Sequence, residues 1–243
     1  MSAGDRVRLM LVRHGQTDSN LVRALDSRPP GAPLNDLGHA QAAALGGRLA
    51  GEPVTAVYAS RAIRAQQTAA PIAVAHDLPV TVLDGVQEVF CGDLEGRTDL
   101  SAREEFDRTY AAWWRGDLDA HLPGGESAHD LRDRYVPAVE RITGGATGAV
   151  VLVSHGAAIR LAAAALLDDP VETGYVPNAG LVVLAADGTG WTLEHWDQAL
   201  PVTGDVTAGG PPLCECCAVL EHGGPLTTRE MPGCGCARRV VSG

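Results

Sequence analysis

The residues most able to do chemistry are two His-Gly dipeptides, each at the end of an apolar, strand-like run. One pair, His14 and Gly15, comes directly after Arg13, and the other pair is His155 and Gly156. Ligands of open α/β sheets bind at the carboxyl ends of strands. A helix is predicted directly after His155, and the free N–H groups and dipole of a helix start attract anions. The two dipeptides therefore indicate an anion-binding site at one edge of a sheet.

The composition restricts how an anion could be held. The chain has 243 residues and a formal net charge of −11, and all 19 basic residues are arginine, since the sequence contains no lysine. Chemistry that rests on a lysine amine, such as a Schiff base or a P-loop lysine, is therefore excluded. An acidic chain is also a poor nucleic-acid binder, because phosphate contacts need a basic surface. Arginine, histidine and backbone amides remain as anion ligands.

Hydropathy predicts a cytoplasmic protein with no membrane partner. Hydrophobic residues make up 45% of the chain and charged residues 20%, which is usual for globular proteins. No apolar run approaches the roughly 18–20 residues of a membrane span. The first apolar run continues directly into the first predicted strand, without the cleavage site of a signal peptide. We therefore expect the protein in the cytoplasm.

Alternating strand-like and helix-like segments must position these residues. Strands are predicted at 8–12, 54–58, 80–83, 150–153, 180–185 and 191–196. Helices are predicted at 34–49, from Ser60 as N-cap to about 76, at 101–116, at 127–143 with Ser127 as N-cap, and at 157–167. This alternation predicts an α/β fold of three αβα layers with a mostly parallel central sheet.

The chain is predicted to divide into a catalytic domain, residues 1–200, and a tail, residues 201–243. Gly and Pro make up 13 of the 43 tail residues, a proportion typical of irregular sequence. Five of the six cysteines lie in the tail: Cys214, Cys216, Cys217, Cys234 and Cys236. Their two clusters could hold one zinc ion, since thiolates are zinc ligands. The tail is predicted to be disordered, zinc-binding or redox-sensitive, and to act outside the catalytic cycle.

Five separated blocks along residues 7–198 resemble the motifs of the histidine phosphatase superfamily, in its phosphoglycerate mutase-like fold and phosphatase branch. The blocks are Leu11–Thr17 with Asn20, Ser60–Ala69, Glu88 with Gly92–Gly96, Gly124–Ser127, and Val153–Gly156. An Arg-His-Gly triplet alone would be a weak signal. Five blocks in the family's order identify the chain as a member.

The resemblance implies a role for each reactive side chain. His14 would be the nucleophile that attacks phosphorus and forms a phosphohistidine, which a neutral imidazole can do without a metal. Arg13, Arg64 and His155 would surround the phosphoryl group and stabilise its charge in the transition state. Glu88 would protonate the leaving alkoxide and then take a proton from the attacking water. Other carboxylates lie nearby, but the spacing to the Gly-x-x-Glu-Gly block favours Glu88.

Uncharged groups complete the implied site. Asn20, Gln16, Thr17 and the amide of Gly156 or Ala157 would add hydrogen bonds to phosphate or substrate. Catalysis of this kind requires no cofactor, so a zinc ion in the tail would be additional. The implied partner is a small phosphoester substrate, and the chain could also form a homodimer.

Two segments near the implied site have weaker interpretations. The loop 23–33 is predicted to form part of the pocket wall, where Arg23 or Arg28 could contact a second acidic group of the substrate. Solvation of both side chains is the alternative. Cys91 is predicted to be a small buried hydrophobic residue, whose thiol could make the enzyme sensitive to oxidation.

Three functions remain open at this point. The same site could hydrolyse a phosphomonoester or, as a phosphoglycerate-type phosphomutase, move phosphate between hydroxyls. Mutases of the family usually have a longer insertion and more basic residues after the acid. The segment between Glu88 and Gly124 has four arginines and several acids, which favours the phosphatase. The third function, non-catalytic binding of a phosphorylated ligand, is disfavoured because all the reactive side chains are present.

Overall fold

The fold is described from a computed structural model of the chain, over residues 7–168, 174–186 and 188–197. The strands are β1 (Val7–Arg13), β2 (Val54–Ala59), β3 (Val80–Val82), β4 (Gly148–Ser154), β5 (Leu181–Ala186) and β6 (Trp191–Trp196). The helices are α1 (Asp18–Leu21), α2 (Asp36–Leu49), α3 (Ile63–Ala75), α4 (Leu100–Trp114), α5 (Ala128–Thr143) and α6 (Gly156–Leu166). The strand order across the sheet is β3-β2-β4-β1-β5-β6, so β4 and β1 lie side by side at its centre.

Parallel pairing dominates the sheet. The pairs β1–β4, β4–β2 and β2–β3 are all parallel. β5 runs antiparallel to β1, and β6 runs antiparallel to β5. The predicted α/β fold with a mostly parallel sheet is therefore confirmed. The carboxyl ends of β1, β2 and β4 share one edge of the sheet, which is where parallel strands bind ligands.

Apolar side chains on both faces of the central strands hold the helices against the sheet. On β1, Leu9 and Leu11 belong to one core cluster, whereas Met10 and Val12 belong to the other, because successive side chains point to opposite faces. Residues of α4, α5 and α6 complete the first cluster, and residues of α2 and α3 complete the second. Burial on both faces explains why β1 is a continuous apolar run and gives the predicted three layers.

The helix predicted to begin behind Ser60 begins later. α3 starts at Ile63, and its N-cap residue is Ala62, which makes no side-chain cap. The Ser60 hydroxyl instead lies 2.7 Å from Nε2 of His155, so it is engaged with a side chain from another element. The prediction also lacked α1, which the apolar pattern could not indicate because none of its residues is buried.

Several sequence predictions concern residues or properties beyond this description. The tail cysteines Cys214, Cys216, Cys217, Cys234 and Cys236 lie outside the described residues. The zinc site, the domain boundary near residue 200, the cytoplasmic location and the homodimer therefore stay predictions. Within the described ranges, no helix is both long and apolar enough to cross a membrane.

Candidate active site

The two His-Gly dipeptides meet at the carboxyl edge of the central strands. β1 and β4 pair in register so that Arg13 lies opposite Ser154, the last residue of each strand. A histidine follows directly after each of these two residues. The ring centroids of His14 and His155 are 5.2 Å apart, and the ring planes are tilted by 60°. The structure thus brings together two residues that the sequence assigned to one site.

The ring of His14 is held in one tautomer. Its Nδ1 lies 2.7 Å from the carbonyl oxygen of Gly15, and because a carbonyl only accepts, Nδ1 carries the proton and donates it. Burial, followed by the positive charges of Arg64 and Arg13, holds the pKa of His14 well below its usual value of 6.5. The ring is therefore neutral near pH 7, with a lone pair on Nε2. A neutral imidazole with a free nitrogen is a nucleophile.

Packing inside the protein requires a glycine at position 15 and leaves little space for a side chain at Gly156. A Cβ on Gly15 would lie 2.6 Å from the carbonyl oxygen of Gly38, which belongs to the first turn of α2. A Cβ on Gly156 would lie 3.2 Å from Nε of Arg13. The close approach of the α2 backbone therefore explains the glycine at position 15.

His155 is completely buried and bonds side chains that follow β2. Its Nδ1 lies 3.3 Å from Nη2 of Arg64, which can only donate, so Nδ1 is the acceptor. Nε2 then carries the proton and donates it to the Ser60 hydroxyl at 2.7 Å. Burial, followed by the charge of Arg64, holds the pKa of His155 well below its usual value. His155 is therefore a neutral ring that orients Arg64.

Arg64 is a buried cation in the first turn of α3, with 2% of its surface exposed. Its Nη2 donates to the carbonyl oxygen of Asp26 at 2.7 Å, and its Nη1 lies 3.3 Å from the Asp26 carboxylate. Burial lowers the pKa of Arg64, although a guanidinium stays charged in proteins. The sequence reasoning missed Asp26, which lies in the loop predicted to line the pocket but belongs to none of the five blocks.

Arg13, at the end of β1, is held by hydrogen bonds to residues of the segment before β5. Its Nη1 donates to the hydroxyl of Tyr175 at 2.8 Å and to the carbonyl oxygen of Val176 at 2.9 Å. The guanidinium carbon also lies 5.4 Å from the centre of the Tyr175 ring, within the range of a cation–π contact. The sequence reasoning missed Tyr175, because a tyrosine 162 positions away from Arg13 leaves no local signal.

Glu88 lies against the N-terminus of α6. Its Oε1 accepts from the amides of Ala158 and Val89, both at 2.9 Å, and its Oε2 accepts from the amide of Ala157 at 3.2 Å. Free backbone N–H groups at the start of a helix need acceptors, and Glu88 supplies two oxygens for them here. The amide of Ala157, predicted to bind phosphate, thus bonds the acid in this structure. A contact of Ala157 or Gly156 with phosphate stays a prediction.

Three polar residues organise the loop that follows His14 and Gly15: Gln16, Thr17 and Asn20. Thr17 and Asn20 form a capping box at the start of α1, in which each side-chain oxygen accepts the other's amide. Oδ1 of Asn20 also accepts from Nδ2 of Asn178, which donates in addition to the carbonyl oxygen of His14. The side chain of Gln16 is likewise hydrogen-bonded within the protein. Asn178 is a further residue that the sequence missed, and phosphate contacts of the three predicted residues stay predictions.

Comparison with known proteins agrees with this geometry. The model of the histidine phosphatase superfamily (branch 1) matches residues 9–199. Glucosyl-3-phosphoglycerate phosphatase of Mycolicibacterium vanbaalenii is 33% identical over 222 residues, covering 82% of this chain and 98% of that protein. Metal-independent phosphoserine phosphatase of Arabidopsis thaliana is 32% identical over 195 residues, covering 78% of this chain and 81% of that protein. The solved complex of mycobacterial glucosyl-3-phosphoglycerate phosphatase with inorganic phosphate is 29% identical, with a TM-score of 0.67, covering 81% of this chain and 99% of that chain.

Proposed function

The chain belongs to the histidine phosphatase superfamily, and on that basis we propose that it hydrolyses the phosphomonoester of a small metabolite through a phosphohistidine on His14. The observation that carries the proposal is the hydrogen bond from Nδ1 of His14 to the carbonyl oxygen of Gly15. It leaves a lone pair on Nε2 of a neutral ring, near the positive charges of Arg13 and Arg64. Phosphoryl transfer needs a nucleophile of this kind beside cations that stabilise the transferred group.

Two balanced steps make up the proposed reaction. In the first, Nε2 of His14 bonds to phosphorus while the bond from phosphorus to the ester oxygen breaks, and protonated Glu88 gives its proton to the leaving alkoxide. Arg13 and Arg64 offset the negative charge on the three non-bridging oxygens. In the second, a water oxygen bonds to phosphorus, Glu88 takes a proton from that water, and the N–P bond breaks. Inorganic phosphate leaves, and the lone pair returns to Nε2.

Metal independence is part of the proposal. Arg13 and Arg64 supply the positive charge that a divalent cation supplies in many other phosphoryl-transfer sites. The name of the Arabidopsis relative, metal-independent phosphoserine phosphatase, supports the same view. We therefore expect an excess of EDTA to leave kcat and KM unchanged. A loss of activity with EDTA that added zinc or magnesium restores would contradict this part of the proposal.

The proposed substrate carries a carboxylate near its phosphate ester. Two relatives are named for glucosyl-3-phosphoglycerate and for phosphoserine, and both compounds combine these groups. In this chain, the guanidinium of exposed Arg28 lies 4.8 Å from the centre of the Phe90 ring, two residues after Glu88. This contact places the cation beside the segment that carries Glu88, and we expect it to pair with a carboxylate on the leaving alcohol. We expect phosphoserine to have a higher kcat/KM than phosphoethanolamine, which lacks the carboxylate, and Arg28→Ala to reduce the difference.

Phosphate release from 4-nitrophenyl phosphate tests the proposal directly. The wild-type protein should release phosphate, and His14→Ala should not do so above background. Labelled phosphate should also remain on the quenched wild-type protein in the acid-labile, base-stable form typical of phosphohistidine. Turnover that does not depend on His14 would contradict the mechanism. Phosphate that moves to a second hydroxyl of a phosphoglycerate would favour the phosphomutase, and binding of phosphoesters without turnover would favour the non-catalytic alternative.

A further inference from the structure

The block Gly124–Ser127 has no role in the reaction proposed above, yet it packs against the segment that carries the acid. The amide of Glu126 donates to the carbonyl oxygen of Phe90 at 3.0 Å, and the amide of Phe90 donates to Oε2 of Glu126 at 2.9 Å. A Cβ on Gly125 would lie 2.4 Å from the same Phe90 oxygen. This approach explains the glycine before Glu126 and shows that the two segments are in close backbone contact.

Arg134, on α5, joins Glu126 to the acid segment. Its Nε and Nη2 donate to the two carboxylate oxygens of Glu126, both at 2.7 Å, in the bidentate geometry that makes such pairs strong. Its Nη1 donates to the carbonyl oxygens of Gly85 at 3.0 Å and Gln87 at 2.9 Å. Its Nη2 also donates to the carbonyl oxygen of Glu88 at 2.9 Å. All five N–H donors of the guanidinium are therefore used, and three of them hold the main chain at or just before the acid.

Residues 85–90 are consequently fixed by side chains and not by a regular element. The segment lies between β3 and the 3₁₀ turn Gly92–Leu94, so neither a strand nor a helix holds its backbone. Arg134 holds the carbonyl side of this segment, and Glu126 holds the Phe90 amide. A guanidinium can do this because its planar fork has five donors with fixed directions, whereas a lysine offers three donors at one point.

We propose that Arg134 and Glu126 are positioning residues for the general acid, holding the main chain of residues 85–90 so that the Glu88 carboxylate reaches the leaving oxygen. The inference rests on the proposed phosphatase function and adds to it. A general acid must lie within hydrogen-bond reach of the oxygen that it protonates, and a misplacement of about 1 Å can lower a rate about 100-fold. Both residues would act through the main chain and not by contact with the substrate.

The leaving group distinguishes positioning of the acid from a merely structural role. Phenyl phosphate and 4-nitrophenyl phosphate have nearly the same shape, but phenolate needs protonation more than the weakly basic 4-nitrophenolate does. The ratio kcat/KM reports the steps up to loss of the leaving group, so the shared hydrolysis of the phosphohistidine does not affect it. A misplaced acid should slow phenyl phosphate selectively, whereas a general loss of folded protein should slow both substrates equally.

The experiment measures kcat/KM for both substrates in the wild type and in Arg134→Met, Glu88→Gln and the double variant. We expect Arg134→Met to lose at least about tenfold on phenyl phosphate and less than about threefold on 4-nitrophenyl phosphate. Glu88→Gln should show the same selectivity. The double variant should be no more selective than Glu88→Gln alone, since a side chain that cannot transfer a proton gains nothing from its position. Glu126→Gln keeps an acceptor for the Phe90 amide but weakens the bidentate pair with Arg134. It should show a smaller selective loss of kcat/KM on phenyl phosphate, and it provides the test if Arg134→Met does not fold.

A matched control is Arg8→Met. Arg8 is likewise a half-buried arginine held by side-chain ion pairs, with Glu52 at 2.6 Å and Glu194 at 2.8 Å, and its exposure is similar to that of Arg134. It lies at the other end of β1, so both substrates should keep their wild-type kcat/KM. Equal losses on the two substrates in Arg134→Met and Glu126→Gln would overturn the positioning role while leaving the phosphatase function intact. Absence of His14-dependent turnover in the wild type would overturn the function and the inference together.

Discussion

Replacing Gly15 with alanine should displace the nucleophile segment without changing any reacting group. The new Cβ would lie 2.6 Å from the carbonyl oxygen of Gly38, and ordinary contact begins at 3.4 Å, so the two backbones must separate by about 0.8 Å. The Gly38 oxygen belongs to the backbone of α2 and cannot rotate away as a flexible side chain could. Overpacking of this kind lowers the free energy of unfolding by about 1–3 kcal/mol.

The same displacement should also lower catalysis. The carbonyl oxygen of Gly15 accepts the proton of His14 Nδ1 at 2.7 Å, and the amide of Gly15 donates to Oγ1 of Thr68 at 2.9 Å. A shift of about 0.8 Å would stretch the first bond beyond the usual hydrogen-bond range of about 2.7–3.2 Å. Nε2 would then lose both its fixed tautomer and its direction. We expect kcat/KM to fall about 100-fold, the effect typical of a misplacement near 1 Å.

The measurements are kcat/KM for 4-nitrophenyl phosphate and the free energy of unfolding in urea. Gly47→Ala is the matched control, since a Cβ at Gly47, also on α2, would have nothing within 4 Å. This control should keep its activity and gain about 0.5–1 kcal/mol, because alanine favours a helix interior over glycine. A folded Gly15→Ala protein with wild-type kcat/KM would refute the reasoning.

Three further predictions concern buried polar groups. Ser60→Ala removes the acceptor of His155 Nε2. We expect kcat/KM to fall about tenfold and the free energy of unfolding to fall by about 1–3 kcal/mol. Unchanged values would contradict the tautomer assigned to His155. Burial lowers the pKa of both His14 and His155 in the folded protein. As the pH falls, these histidines are therefore protonated in the unfolded chain before they are protonated in the folded one. The free energy of unfolding should be highest above about pH 6.5 and should decline as the pH falls below that value. A free energy of unfolding in urea that stays constant between pH 8 and pH 5 would contradict this. Burial raises the pKa of the Cys91 thiol to about 12, so iodoacetamide at pH 8 should label Cys91 only after denaturation, as peptide mapping would show.

The sequence was sufficient to predict the sheet and the meeting of the two histidines. A strand buried on both faces is a continuous apolar run, and its abrupt end at Arg13 and His14 marks the edge of the sheet. Parallel strands bring their carboxyl ends together, so the second such run had to place His155 at the same edge. The spacing of Arg64 within the third helix was part of the same resemblance, and the structure brings its side chain to His155.

The residues that hold the site in place could not be predicted because their contacts are distant in the sequence. Ser60 shows the difficulty: serine before a helix usually caps it, but its hydroxyl is used by a histidine 95 positions away. Asp26 and Tyr175 bind the two arginines from loops without any repeating pattern. The position of the Glu88 carboxylate depends on where α6 starts in space, which the order of residues along the chain does not specify.

The central position of β1 has a consequence for how the protein is synthesised. β1 is made first, yet both of its neighbours in the sheet, β4 and β5, follow about 135 or more residues later. At about 5–20 residues per second, the strand waits on the order of 10 s on the ribosome before it can pair. The carbonyl oxygen of His14 also lacks its contacts until Asn178 and Ala179 emerge. The site around His14 is therefore incomplete until nearly all of residues 7–197 have been translated, and folding of the central sheet depends on contacts that are distant in the sequence.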